Sequence, residues 1–359
     1  LAPRTFTFDA AFDPSSTQDD VFGLVSPLVA RFVDGFNATV LAYGQTGSGK
    51  TWTMGTGLDN SSLQLPKHQI GIVPRAIELL FDLLNSKEGD AFEFAVYVSF
   101  LELYNEELVD LLNPMPHSHS RPNTAGSSRP ATAANHLPNI REDANGNIIW
   151  SNVREEPVSN PQELLSCLQR GSLCRSTGST DMNAASSRSH AIFSIILKQR
   201  EKVSSSDATP PPSVEDPSSS TNQAPPTSSK PLPQTYRTTL SKFHFVDLAG
   251  SERLKRTNAE GDRKKEGISI NQGLLALGNC ISALGDESRS LGPSSRSLHV
   301  PYRDSKLTRM LQDSLGGNST TLMIACVSPS ETSVGETVST LQYANRARNI
   351  KNKVAVVQE

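Results

Sequence analysis

Lys50 and Thr51 close the run Gly44-Gln-Thr-Gly-Ser-Gly49-Lys-Thr, which fits GxxxxGK[ST] and directly follows the apolar stretch ATVLAY (38–43). After a strand, such glycines let backbone N–H groups curl around phosphate oxygens, a lysine reaches the β and γ oxygens, and a hydroxyl ligates Mg²⁺. Gly44, Gln45, Thr46, Gly47, Ser48, Gly49, Lys50 and Thr51 are therefore read as a phosphate-binding loop. The loop alone does not separate kinase, GTPase, ATPase and motor. Asp247-Leu-Ala-Gly250 ends a second strand-like run, TTLSKFHFV (238–246). A carboxylate there holds Mg²⁺ through water, and the Gly250 N–H is placed to sense a γ-phosphate. GTPases share this DxxG pattern, but the NKxD guanine reader is missing, since Asn352-Lys353 is followed by Val-Ala. ATP with Mg²⁺ is the expected ligand pair, with Thr51 and Asp247 on the metal side.

A third stretch, NAASSRSH (183–190), is dense in hydroxyls and ends in a histidine. A Ser–His nucleophile needs an elbow and a third member, and neither a GxSxG nor an obvious partner is present. A loop whose serines approach Mg²⁺ and an attacking water accounts better for the composition. Its lookalike, SSSDATPPPSVEDPSSST (204–221), is full of proline and carries no such expectation.

The elements that must position these loops alternate between strand-like and helix-like runs, which points to an α/β layered fold. Strands are expected at 38–43, 91–100, 191–199, 238–248 and 319–328, the last of them buried, and TFTFDAAFD (5–13) has a strand-like alternation. Asn160-Pro-Gln-Glu163 gives a helix start, with a cap, a first-turn proline and a glutamate three residues on. Ile270, Leu274, Leu277, Ile281 and Leu284 make one apolar helical face. Ser333 and Glu336 suggest a capping box for a last helix bearing Val334, Val338 and Leu341. Pro114–Pro138 and Ser204–Pro233 are rich in Pro, Ser, Thr and Ala and nearly free of bulky apolar residues, so both are expected to be disordered insertions. His117 and His119 in the first belong to a solvated loop in this reading rather than to a metal site.

With 359 residues and a formal net charge of −3, the chain has no global push toward nucleic acid or membrane. No apolar run reaches the length of about 20 residues that a membrane helix needs. Its four cysteines form no CxxC pair and read as reduced thiols. The chain starts at Leu1, so residues upstream are expected.

Three stretches together, AYGQTGSGKTWTMG (42–55), NAASSRSH (183–190) and DLAGSE (247–252), resemble the kinesin motor domain, with its P-loop, switch I and switch II. The likeness runs on through SFLELYNEELVDLL (99–112), HVPYRDSKLTRMLQDSLGGNSTTLMIACVSP (299–329) and ETVSTLQYANRAR (336–348). AEGDRKKEGISINQGLLALGNCISALGD (259–286) and YANRARNIKNK (343–353) are most similar to the chromokinesin-type, kinesin-4-like subfamily. The resemblance implies a P-loop NTPase-type α/β fold, a central mostly parallel or mixed sheet with helices on both faces, spanning 1–348, with a neck linker beginning at 349–359. The family's first strand, with its RxRP motif, is absent before Leu1. By the same resemblance Ser187 contacts Mg²⁺ and the γ-phosphate, Asn183 and Ser186 order phosphate and water, Arg188 and Glu252 bridge the switches, and Gly250 reports the γ-phosphate. Trp52 stands where the family places an aromatic or histidine against adenine; core packing is the alternative.

The basic residues Arg253, Lys255, Arg256, Lys264, Lys265, Arg303, Lys306 and Arg309 form, on this likeness, a microtubule face; read alone, such a charge run is a solvated loop. Leu307, Met310, Leu311 and Leu315 adjoin the last three and are expected to pack inward. The function implied is microtubule-stimulated ATP hydrolysis driving plus-end movement in the cytoplasm, on the cytoskeleton and at the spindle or in the nucleus. A slow ATPase regulating microtubule tips without walking is the alternative. A generic P-loop NTPase unrelated to the cytoskeleton is the third. DNA or cargo binding and homodimerisation are assigned to a tail and coiled coil outside this chain, and no membrane partner is expected.

Overall fold

The computed structural model describes residues 4–57, 66–87, 89, 92–114, 137–143, 148–177, 187–202, 236–252, 262–285 and 299–358. Its centre is a seven-stranded sheet built from β1 (Ala38–Tyr43), β2 (Phe92–Tyr104), β3 (Glu107–Asp110), β6 (Glu156–Val158), β7 (His190–Lys202), β8 (Tyr236–Asp247) and β9 (Thr320–Ala325), while β4 (Asn139–Glu142) and β5 (Ile148–Ser151) pair separately. The order is β3-β2-β7-β8-β1-β9, with β6 also on β2. Pairing is parallel only at β8-β1-β9 and antiparallel elsewhere, so the sheet is mixed rather than mostly parallel. β7 and β8 are neighbours over their full length, as expected of strands flanking an insertion. Both proline-rich insertions fall almost wholly outside the described residues, with His117 and His119.

Alternation along the strands sends side chains to two cores, one on each face of the sheet. Ala38, Val40 and Ala42 face the cluster formed with α1 (Gln18–Val33), α3 (Ile72–Lys87) and α4 (Pro161–Thr177). Leu41 and Tyr43 face the cluster formed with α5 (Asp262–Gly285), α6 (Lys306–Met310) and α7 (Val334–Ala347). A short helix, α2 (Lys50–Met54), follows β1 directly.

Local chemistry explains the helix starts. The Thr17 side chain accepts from the Asp20 N–H while the Asp20 carboxylate accepts from the Thr17 N–H, a capping box that starts α1. Asn160 caps α4 through the Glu163 N–H at 2.9 Å, as the sequence suggested. At α7 the expected box does not form: Ser333 makes no cap bond, and its hydroxyl instead lies 3.1 Å from Gln45 Nε2. The apolar stripe read there also differs. Val334 is exposed, and the buried face is Glu336, Thr340, Tyr343 and Ala344. Tyr343 fixes that rotation by stacking on Tyr43, with ring centroids 4.1 Å apart.

Two further expectations change. Residues 5–12 form no strand and bend at Asp9. β9 is the end strand of the sheet and only partly buried; it lines one cavity of about 870 Å³ together with residues of the N-terminal segment, Phe6, Phe8 and Phe12 among them. Beyond α7 the chain returns along the sheet. Asn352 Nδ2 donates to the carbonyls of Ser314 and Ser319, and the Leu240 N–H donates to the Val357 carbonyl at 3.1 Å.

Candidate nucleotide site

β1 and β8 lie side by side in parallel, so their C-terminal ends deliver the P-loop and Asp247 to the same edge of the sheet. Gly47 and Gly49 hold the P-loop at φ +77° and +97°, the left-handed region that favours glycine. Lys50, at the start of α2, is only 7 % exposed, and its Nζ donates to the Gln45 carbonyl at 3.0 Å. Burial lowers its pKa, and the charges of Asp247 and Glu252 oppose that shift. A lysine so placed is set to meet an anion.

Thr51 Oγ1 donates to Asp247 Oδ2 at 2.7 Å. The other carboxylate oxygen, Asp247 Oδ1, is buried with no hydrogen-bond partner, as is Gln45 Oε1 of the P-loop. An orphaned carboxylate oxygen against a threonine hydroxyl fits a hydrated Mg²⁺.

Switch II is hung from four places. The N–H groups of Leu248, Ala249, Gly250 and Ser251 donate in turn to Ala42 O, His190 Nδ1, Ser187 O and Gly44 O, at 3.2, 3.0, 2.8 and 3.1 Å. A Cβ on Gly250 would collide with the Thr46 hydroxyl and the Glu252 carboxylate. Glu252 itself lies on the P-loop, accepting from the Thr46 N–H at 2.8 Å and the Thr46 hydroxyl at 2.6 Å.

The structure therefore brings together Gly44 to Thr51, Ser187, His190, Asp247, Gly250 and Glu252. Arg188 is half-buried in the turn between Ser187 and β7. Asn183, Ser186, Arg253, Lys255 and Arg256 lie outside the described residues. Lys264 and Lys265 fall in α5, whose side chains are described from 271 onward. Trp52 is 54 % exposed, which removes the core-packing alternative; the Gln18 amide holds only its backbone carbonyl.

One residue escaped the sequence reading. Arg175 on α4 is 6 % exposed and ion-paired to Asp247 Oδ2 at 3.3 Å and Glu102 Oε1 at 3.6 Å. Its guanidinium also donates to the Ser189 carbonyl at 2.9 Å. It ties α4, β2, β8 and the end of switch I into one charged cluster. No sequence signal marks it, because nothing in a helix pattern announces partners on distant strands.

On the opposite helical layer, Ser305 caps α6 through the Leu307 N–H at 3.0 Å, and Glu106 accepts from Ser305 Oγ at 2.6 Å and the Lys306 N–H at 2.8 Å. Leu307, Met310, Leu311 and Leu315 are buried as expected. Arg303 and Arg309 both reach Glu142 Oε2 on β4, each at 3.2 Å, and Lys306 is half-buried beside them.

The family match decides the matter: the kinesin motor domain pattern covers residues 1–350. The chain belongs to the kinesin motor domain family. Mouse kinesin-like protein KIF21B is 49 % identical over 366 residues, covering 99 % of this chain and 20 % of that protein. Mouse chromosome-associated kinesin KIF4 is 48 % identical over 351 residues, 98 % of this chain and 24 % of its own length. A solved KIF14 dimer, in complex with a microtubule in an AMP-PNP state, matches with a TM-score of 0.76 at 33 % identity, over 98 % of this chain and 84 % of that one. The chain thus spans about a fifth to a quarter of these curated kinesins. The kinesin motor fold expected from the three motifs is the fold observed, and a chromosome-associated kinesin stands among the relatives, in line with the chromokinesin-type likeness.

Proposed function

We propose that this chain is the ATP-hydrolysing motor of a protein that moves along microtubules. One observation carries the reading: the Gly250 and Ser251 amides of switch II are held by the Ser187 carbonyl of switch I and the Gly44 carbonyl of the P-loop, so a change at the phosphate site is felt directly in switch II. In this reading the P-loop amides and Lys50 hold the phosphates, and Trp52 flanks the adenine. Thr51, Ser187 and, through water, Asp247 hold Mg²⁺, which when bound supplies charge neutralisation on the phosphoryl group. Asn183 and Ser186 order phosphate and water. Arg188 and Glu252 close the site when Glu252 leaves Thr46, and Gly250 exchanges the Ser187 carbonyl for the γ-phosphate.

The filament face is assigned to Arg253, Lys255, Arg256, Lys264, Lys265, Arg303, Lys306 and Arg309. A local basic patch on a mildly acidic chain suits an acidic filament and gives salt-sensitive binding. Residues 349–359 act as the neck linker, docked along the sheet through Asn352 and Val357. Plus-end direction, a homodimer through a coiled coil, DNA or cargo on a tail, and work in the cytoplasm, spindle or nucleus extend the same reading to the whole protein.

Steady-state ATPase with and without microtubules, together with single-molecule motility of a dimerised protein, tests this. Microtubule-stimulated turnover with directed runs is expected. Tip dwelling with slow turnover and no runs would favour the regulator instead.

A further inference from the structure

His190 ends the serine-rich switch I stretch, yet nothing in the nucleotide chemistry above uses it. It is the first residue of β7, paired in register with Leu103 of β2, and its side chain is 3 % exposed. From that fixed strand the ring reaches past the end of β8 and takes the Ala249 N–H on Nδ1 at 3.0 Å. An imidazole that accepts on Nδ1 must carry its proton on Nε2.

The neighbouring amides differ in kind. Leu248 is held by the sheet itself through the Ala42 carbonyl, whereas Gly250 and Ser251 are held by carbonyls of switch I and the P-loop, the two loops that must rearrange around phosphate. Ala249 lies at the border, and its acceptor is a side chain rooted in a strand.

We propose that His190 is a positioning residue for ATP hydrolysis, the pivot that anchors switch II at Ala249 while Gly250 and Ser251 change partners. The inference rests on the ATPase reading above. The neutral ring it needs is secured by burial first, then by the charges of Arg175 and Lys50, which together push the His190 pKa down to about 3. A ring that accepts the Ala249 N–H on Nδ1 serves as a hydrogen-bond anchor, and the lowered pKa is consistent with that role.

His190→Leu keeps apolar bulk and removes the acceptor, leaving the Ala249 N–H buried and unpaired. His190→Asn returns an acceptor near the Nδ1 position. The two variants and the wild type are compared for ATP affinity, melting temperature and microtubule-stimulated turnover. His190→Leu is expected to bind ATP within about 3-fold of wild type while its stimulated kcat falls about 10- to 100-fold, with His190→Asn recovering most of that loss. In the wild type, the ¹⁵N spectrum of the His190 ring at pH 7 is expected to show the neutral Nε2–H tautomer. An Nδ1–H tautomer or an imidazolium would overturn the pivot, whatever the variants do in folding.

An active wild type with an equally active His190→Leu would overturn the pivot alone. A folded, ATP-binding His190→Asn as slow as His190→Leu would do the same. A wild type with no ATPase at any microtubule concentration would overturn the underlying reading and the pivot with it.

Discussion

The Glu252 carboxylate takes both the N–H and the hydroxyl of Thr46, so in the proposed function it competes with phosphate for that P-loop amide. Charge-assisted bonds of this kind contribute about 1.5–3 kcal/mol. Glu252→Ala removes the competing carboxylate and also the partner proposed for Arg188. ATP affinity in a fluorescent-nucleotide titration should hold or tighten, while single-turnover hydrolysis falls at least about 100-fold; weakened ATP binding would contradict the competition. Lys50→Ala removes the buried cation that awaits phosphate, and the same titration should show ATP affinity lost by about 100-fold or more, with unchanged affinity refuting the P-loop assignment. At this scale Gly44–Thr51 and Asp247–Gly250 stand out by residue type and spacing, because phosphate-loop geometry and metal chemistry demand both, whereas Glu252 entered only through the family resemblance. Arg175 was not legible in the sequence, since its partner Asp247 is 72 residues away and a lone arginine in α4 looks the same in sequence whether it is solvated or buried.

The elements place these residues through contacts that sequence periodicity only partly reveals. β1, β7 and β8 are apolar enough to be read directly, and the stripe on α5 does pack inward at Leu274, Leu277 and Ile281. The helices α1 and α3 went unread, although Thr17–Asp20 and the spacing Val21, Val25, Val29, Phe32 carry the α1 signal. At α7 the Ser333–Glu336 pattern misled because the P-loop amide of Gln45 takes the serine and Tyr343 sets the helix rotation. α6 is positioned by Glu106, which sits at φ +59° in the turn between β2 and β3 and holds the first turn of the helix. Glu106→Ala should lower stability by about 1 kcal/mol and raise the microtubule concentration for half-activation, read by melting and steady-state turnover. Glu142 holds Arg303 and Arg309, with the Arg303 side chain 76 % exposed. Glu142→Gln frees both for an acidic filament, so half-activation should come at about 2-fold lower microtubule concentration, an advantage that fades with added salt. A weaker microtubule response would remove those arginines from the filament face.

For the whole molecule, two buried histidines tie stability to pH. Burial pushes His190 and His244 down to about 3, His244 against Ser194 Oγ at 2.8 Å and the Trp150 ring. Unfolding lets each bind a proton below its ordinary value near 6.5, so the unfolded chain holds more protons than the folded one between about pH 6.5 and 3. Stability is full above that window and falls as pH drops through it, by about 1.4 kcal/mol per unit for each histidine. Melting temperatures recorded from pH 7.5 to 5 should decline, and His244→Gln should lessen the slope; an unchanged slope would assign the loss elsewhere. The nucleotide site at the sheet edge and the basic face on α6 act as one machine only if ligand at the first changes affinity at the second. Co-sedimentation with microtubules in saturating AMP-PNP and in saturating ADP tests that coupling most directly. The account expects binding tighter in AMP-PNP by about 10-fold or more, within the usual range of coupling between linked sites. Equal affinity in the two nucleotides would contradict it.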